Sequence, residues 1–562
     1  MILITLICAT AMVASARFLV HQEGATTGMS RYVYLVVDLP ANTILLALTG
    51  TVAFFSLLMP TRFALRLSAL SLPGSSAPLI AIFTLALAAV GASEVYQGHA
   101  FSMDEWMTRL QGSLFLNGQI AGEIPWDMRP YARAIFHPFT ALNESAGTFA
   151  SDYRPGMSAI YALFEVAGIG IYSSAAMMAG SVWMTALVAR RIWPDIGEAP
   201  VIAALLVATS QQALAASLTT YAMSAHLCFN MLWLWLFLGN RWYLHLLAAL
   251  VGVATASLHQ IHVHAFFAAP FFLLLLRPLR LDLIALYGGI YLVGHFAVYS
   301  WDQISLGSTA QTLAGGERSL LQRFLRLLDL PDRDALATSA ANLIRLFTWQ
   351  SLAIPPLLLM LFWRRSWAPL MAAMAGSILF SLLPYPFLMA DQGHGWGYRY
   401  MHGLIGPLAI LAVSGWITLR DEGHAIRANF QAFVMASLVA SALIMIPLRA
   451  YQINGLVGPY AKGTTMVQSI DADVVIIDSY EIYYGWDFGQ NDPLFAEPPI
   501  IMQLDDLDLE KIRQICAAHR TVLIGADDVE PLGVPVIGSG LANEPYATAQ
   551  MREAINGPDC RR

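Results

Sequence analysis

Apolar runs of about 20 residues recur along most of this chain, and that repetition dictates its class of fold. A helix rises about 1.5 Å per residue, so one such run crosses a hydrocarbon layer of roughly 30 Å, and it satisfies its own backbone where no water can. The runs lie near residues 1–20, 39–59, 77–94, 172–190, 199–219, 223–239, 244–260, 263–277, 281–300, 342–363, 367–390, 403–419 and 429–448. The expectation is a polytopic α-helical membrane protein with about thirteen transmembrane helices. Only 12% of residues are charged, 57% are hydrophobic and the mean hydropathy is +0.57, which excludes an ordinary soluble domain.

Arginines in the short connections set the orientation. Arg62 and Arg66, Arg190 and Arg191, Arg241, Arg277 and Arg280, Arg364 and Arg365, and Arg420 and Arg427 mark alternate loops, which are expected to face the cytoplasm. Residues 21–38, 95–171, 220–222, the turn around His262, 301–341, 391–402 and everything after 449 then lie outside. Residues 157–170, after Pro155–Gly156, are too short for a span and are expected to form a partial, re-entrant or juxtamembrane helix. Ala-Ser-Ala before Arg17 resembles a signal-peptide cleavage site but has no basic leading region, so an uncleaved helix is expected at residues 1–16.

From about residue 450 the chain changes character. Val474–Ile477 and Thr521–Ile524 read as short buried strands, and the charged run 505–519 between them has helical spacing, so a small extramembrane α/β domain is expected over 450–562. It has no glycine-rich phosphate loop and no metal-ligand spacing, which suits a cap or an acceptor-docking module. Cys8 and Cys228 lie in apolar helices as packing residues, while Cys516 and Cys560 fall where an oxidising compartment permits a disulfide. A net charge of −7 with only two lysines, Lys462 and Lys511, excludes a nucleic-acid partner.

Chemistry is expected where the outer loops converge, and four stretches qualify. In Phe101-Ser-Met-Asp-Glu-Trp, the pair Asp104–Glu105 opens a run with helical apolar spacing, expected to lie along the membrane interface. A carboxylate there can serve as general base; alternatively Ser102 or Asp104 simply caps the helix. In Ser151-Asp-Tyr-Arg-Pro-Gly-Met, Asp152, Tyr153 and Arg154 precede a short apolar helix carrying Glu165; Arg154 suits a phosphate or an interfacial anchor. In Gln392-Gly-His-Gly-Trp-Gly-Tyr-Arg-Tyr-Met-His, glycines permit close backbone approach. There His394, Tyr398 and the fixed cation Arg399 suit either the grip of a phosphate or an aromatic belt with a snorkelling arginine. His259-Gln-Ile-His-Val-His places His259, His262 and His264 off any common helical face, so a complete zinc site within it is not expected. One of them could join a carboxylate from the first loop, or all could be interfacial hydrogen-bonding residues.

Taken in order, the Asp-Glu pair after a span, its continuation Trp-Met-Thr-Arg-Leu-Gln-Gly into Asn-Gly, Tyr-Arg-Pro-Gly before an apolar helix, a span ending Ala-Arg-Arg, and Gly-Tyr-Arg-Tyr followed by Pro407 resemble the GT-C superfamily. These are integral-membrane glycosyltransferases of the protein mannosyltransferase and aminoarabinose transferase type, and the similarity runs over residues 77–448. The resemblance implies a GT-C-like core at 77–449 with a large outer loop at 95–156, preceded by two extra helices in 1–76. It implies a sugar donor carried on a polyprenyl phosphate, transferred with inversion at the outer face of a bacterial inner membrane to a cell-envelope glycan, lipid or protein. The catalytic carboxylate maps onto Asp104, with Glu105 as neighbour or alternative. Arg399 maps to the donor phosphate, supported by Arg154 and Tyr398, and Asp152, Tyr153, Glu165, His259, His262 and His394 are candidates for binding substrate. Some members use a divalent cation, which Asp104, Glu105 and a histidine could help hold. A transporter or flippase of an envelope precursor, or a non-catalytic relative, are the alternative readings; a transporter would want polar groups and broken helices at the bilayer midplane in both halves.

Overall fold

The computed structural model describes residues 28–58, 73–307, 311–313, 329–364, 367–422, 424–537 and 547–560. Among these, seven helices are long and apolar enough to cross a membrane: Met29–Ser56, Gly74–Val95, Gly170–Ile192, Leu281–Tyr299, Pro369–Leu388, Arg399–Thr418 and Ile426–Gln468. An eighth candidate crossing is broken, with Ala199–Ala208 and Gln211–Ser217 meeting at 61°. The expected span at residues 1–20, the cleavage-like site, and the markers Arg62, Arg66 and Arg365 lie outside the described residues.

Three expectations about spans are corrected. The segments at 223–239, 244–260 and 263–277 form shorter apolar helices, Met223–Phe237, Trp242–Ala256 and Ile261–Leu275. The run 342–363 is two helices, Arg333–Thr348 and Ile354–Arg364. Pro355 and Pro356 explain the interruption: they fit the first turn of a helix, where no amide is needed, but cannot continue one already under way. The last helix also runs past the expected end at 448. Its 43 residues measure about 65 Å, roughly twice the hydrocarbon thickness, and the buried face Ile453, Val457, Tyr460 and Val467 sustains the extension.

The first long loop carries the helix Met103–Leu116 and three strands of a four-stranded antiparallel sheet, in the order Gly122–Glu123, Thr148–Ser151, Thr140–Asn143, and the later connection after Leu281–Tyr299 adds the fourth, Gln311–Thr312. Near the C-terminus, Val474–Ile477 is the centre of a parallel three-stranded sheet between Ile500–Gln503 and Thr521–Ile524, with Leu509–Ala518 as a helix between the outer two strands. Four buried β-branched residues, Val-Val-Ile-Ile, suit a central strand covered on both faces. Alternate residues of this sheet serve two cores. Val474, Ile476 and Met502 share one with Met103, Met107 and Leu110 of the loop helix, whereas Val475, Ile477 and Ile501 share the other with Val457, Tyr460 and Phe488. Cys516 is bonded to Cys560. The sheet is thereby seated directly on the helix that carries the acidic pair.

Candidate active site

Ser102 starts the helix Met103–Leu116: its hydroxyl accepts the Glu105 amide at 3.4 Å and bonds Tyr221 Oη at 2.6 Å. Capping therefore falls to Ser102, which leaves Asp104 for another task. The helix is also not laid along a lipid surface as expected, because its polar residues Asp104, Glu105, Thr108 and Gln111 are buried along with its apolar ones. Protein encloses it on both sides, the C-terminal sheet on one and the short helix Gly156–Glu165 on the other.

Asp104 Oδ2 lies 2.7 Å from Arg399 Nη1, with the two side chains only 7% and 10% exposed. Burial pushes the Asp104 carboxyl up, but the Arg399 guanidinium, with His259 behind it, outweighs burial and holds it below the usual carboxylate value. Its neighbour behaves oppositely. Successive helical side chains diverge by about 100°, so Glu105 points instead at Tyr96 Oη, which donates at 2.9 Å, and at the Thr220 amide, 3.4 Å away. Burial dominates there and pushes Glu105 up to about 8 despite Arg109 and these hydrogen bonds. One carboxylate is thus ionised at neutral pH and the adjacent one is largely protonated.

Arg399 is delivered by a loop in which Gly393, Gly395 and Gly397 take φ of +61°, +139° and +65°. Side chains rarely tolerate such angles, so the alternating glycines are what let His394, Trp396 and Tyr398 all turn inward. Buried side chains satisfy the loop's backbone: Gln392 donates to Gly397 O (2.7 Å) and accepts from the Arg399 amide (2.8 Å), Gln212 donates to Tyr398 O (2.7 Å), and Arg345 donates to Gly395 O (3.0 Å). Arg399 itself donates to His394 O at 2.8 Å and lies over the rings of Tyr221 and Tyr400 at 5.2 and 5.4 Å. Tyr398 is held against Tyr385, with ring centroids 6.3 Å apart.

The remaining candidates divide. His259 stacks on Tyr153 at 4.4 Å and belongs electrostatically to the Asp104–Arg399 pair; burial pushes its imidazole down to about 4. That contact depends on Gly156, whose amide donates to Ser257 O at 2.8 Å and where any Cβ would strike Ser257. Arg154 instead pairs with Asp302 at 2.9 Å, and Asp152 is half-buried with its amide donating to Phe139 O at 2.9 Å. His262 sits 3.5 Å from Tyr385 Oη. Glu165 accepts the Gly170 amide at 2.8 Å, closing the far end of its own short helix. Among the described residues no group of three His, Cys, Asp or Glu side chains is placed to hold a metal ion, so the divergent Asp104 and Glu105 do not fit the cation site that the resemblance allowed.

Two features had no counterpart in the motifs. Asp487, from the C-terminal segment, accepts the Met103 amide at 2.9 Å and lies 2.8 Å from His394 Nε2. Asp38, Arg345 and Arg449 form a wholly buried charge cluster (2.7 and 3.3 Å) with Trp349, whose indole donates to Asp38 at 2.6 Å. Ionisable residues inside apolar helices were the available signal for the cluster; nothing local marks Asp487.

No protein-family model and no curated protein matches the chain. Its fold is similar to that of ArnT from Cupriavidus metallidurans in a crystal structure bound to undecaprenyl phosphate, with a TM-score of 0.51 and 12% identity over 83% of this chain and 99% of that one. The apo structure of the same protein aligns with a TM-score of 0.46 and 11% identity over 81% and 94%. At such identity the shared property is the fold, a multi-pass helical architecture of the kind that the GT-C resemblance implied.

Proposed function

We propose that this chain is a membrane glycosyltransferase that takes a sugar from a polyprenyl-phosphate donor and passes it, with inversion, to a cell-envelope acceptor at the outer face of a bacterial inner membrane. The observation that carries this reading is the buried contact between Asp104 and Arg399, residues 295 apart in sequence, where the helix Met103–Leu116 meets the glycine-rich loop before Arg399. The similarly folded ArnT structure is bound to undecaprenyl phosphate, which supports a donor of that chemical class. The Cys516–Cys560 bond supports an oxidising surrounding for the C-terminal segment, read here as an extramembrane domain over 450–562.

A phosphate is a competent leaving group, so the protein must supply positive charge where it departs and a base for the incoming hydroxyl. Arg399 takes the first role. Its guanidinium is paired with Asp104, so a phosphate binding there competes with that carboxylate for the same cation. Once displaced, Asp104 loses its counter-charge in a buried setting and its proton affinity rises. The base is thus activated only when the donor is in place. In-line displacement puts base and leaving group on opposite faces of the anomeric carbon, so the pair must part to admit the phosphosugar between them. The acceptor oxygen then attacks that carbon, its proton passes to Asp104, and the carbon–oxygen bond to phosphate breaks with its electron pair on the phosphate held by Arg399. Glu105, largely protonated and tied to Tyr96 and Thr220, braces the helix start. Tyr153 and His259 form a stacked wall beside Asp104, suited to the face of a sugar.

The test is release of polyprenyl phosphate and transfer of sugar by the purified protein, together with mass spectrometry of envelope glycans with and without it. Wild-type transfer lost in Arg399→Gln and Asp104→Asn supports the reading. Full transfer by Asp104→Asn overturns the base assignment, and substrate uptake into proteoliposomes without transfer overturns the enzyme.

A further inference from the structure

We propose that Asp487 is a positioning residue for this site: one carboxylate of the C-terminal segment holds the start of the Asp104 helix in register with the loop that carries Arg399. The inference rests on the glycosyltransferase reading and makes the C-terminal segment a part of the active site.

Each oxygen of Asp487 serves a different partner. Oδ1 accepts the amide of Met103, the residue before Asp104, at 2.9 Å, and Oδ2 lies 2.8 Å from His394 Nε2. The carbonyl of that same His394 accepts Arg399 Nη1 at 2.8 Å. A path of close contacts therefore runs from the base helix through Asp487 and His394 to the cation, its middle link an ion-pair distance and its two ends hydrogen bonds. Asp487 is 3% exposed, and a buried carboxylate persists only where it is paired.

The surroundings hold the carboxylate in place. Tyr484, at φ +52°, turns the chain into the tight turn Gly485–Phe488, and its ring meets His394 edge-on at 4.6 Å. Phe101 packs edge-on against the His394 ring as well, with centroids 5.0 Å apart. Gln490 donates to Ala100 O at 2.7 Å and to Asp487 O at 2.9 Å, fastening the turn to the strand of chain that leads into the Asp104 helix. Below it, Phe488 stacks on Tyr460 of the long final helix at 5.5 Å. A side chain whose only duty was to stabilise the C-terminal segment would have no need to bridge two catalytic segments that belong to other parts of the chain.

The test uses the full-length protein in detergent with undecaprenyl phosphate as probe, measuring affinity and the melting temperature of the ligand-free form. Asp487→Asn keeps the volume and an acceptor for the Met103 amide, so it is the variant of choice; Asp487→Glu serves as the conservative rescue. Because Asp487 acts on Arg399 through His394, Asp487→Asn and His394→Gln should each weaken binding at least fivefold, and the double variant should be no more than twofold weaker than either one. Asp487→Glu should recover part of the loss. Multiplicative effects of the two substitutions, or a lowered melting temperature with unchanged affinity, would overturn the proposal. Failure of the wild-type protein to bind undecaprenyl phosphate removes the glycosyltransferase reading itself, and this inference with it, and is told apart from the first failure because no variant is then needed to see it.

Discussion

Replacing Asp104 by Asn should abolish transfer and yet tighten the binding of undecaprenyl phosphate. Arg399 Nη1 is 2.7 Å from Asp104 Oδ2, and the donor phosphate must take over that guanidinium or sit beside a buried carboxylate of like charge. A hydrogen bond between charged partners contributes about 1.5–3 kcal/mol, and tenfold in affinity corresponds to about 1.4 kcal/mol. Removing the competing carboxylate should therefore tighten the dissociation constant by about 10- to 100-fold. The same substitution leaves Arg399 buried without its anion, which costs about 3–5 kcal/mol of folding stability in comparable pairs. Ligand should restore more of the melting temperature in the variant than in the wild type, since binding stabilises in proportion to affinity. Titration of detergent-solubilised protein with undecaprenyl phosphate, followed by intrinsic fluorescence and by thermal shift, measures both effects. Unchanged or weaker binding by Asp104→Asn would refute the competition, because it would mean that the carboxylate assists the phosphate or never meets it.

Other consequences are checked more simply. Glu105 is pushed from 4.5 up to about 8, so its contribution to stability is full below about pH 4.5 and is lost as pH rises through about 8; Glu105→Gln should flatten that loss and melt higher than wild type at pH 8. A melting curve that falls equally with pH in both proteins would contradict this assignment. Asp38→Ala leaves Arg345 and Arg449 buried without their carboxylate and should cost about 3–5 kcal/mol, read as loss of monodisperse protein on size exclusion. Arg154→Gln and Asp302→Asn break the same 2.9 Å pair and should reduce transfer to a similar extent, far less than Arg399→Gln does. Cys516 and Cys560 close a loop with a sequence separation of 44, so the double serine variant should lose about 3–4 kcal/mol from the C-terminal segment, detected as faster proteolysis there.

Much of this was written locally in the chain, and the part that was not has a common physical cause. An acidic pair and a glycine-rich, aromatic loop ending in arginine stand out in a sequence with so few charges, so Asp104 and Arg399 could be singled out as candidates, though with a helix cap and a snorkelling arginine as equally local readings. Their 2.7 Å contact could not, since it spans most of the membrane core. Sequence adjacency was a poor guide to Glu105, because the turn of the helix aims it at Tyr96 and away from Arg399. Arg154 stands out by its Pro-Gly context, but the aspartate it pairs with, Asp302, comes from a distant connection. The helices at Met223–Phe237 and Ile354–Arg364 differ from the expected spans because hydropathy averages over a window and cannot see a turn or a Pro-Pro start inside it. Strands Val474–Ile477 and Thr521–Ile524 were legible from their β-branched runs, whereas Ile500–Gln503, following Pro498 and Pro499, was concealed by residues that usually exclude a strand. Asp487 and the Asp38–Arg345–Arg449 cluster gain their meaning only from partners hundreds of residues away, and no periodicity or motif encodes that.

The most direct measurement is an experimental structure of the full chain with undecaprenyl phosphate bound. The phosphate should lie within hydrogen-bonding distance of the Arg399 guanidinium, with the Asp104 carboxylate parted from it and facing the space above the phosphate. A phosphate bound elsewhere, with Asp104 and Arg399 still in contact, would contradict the proposed site.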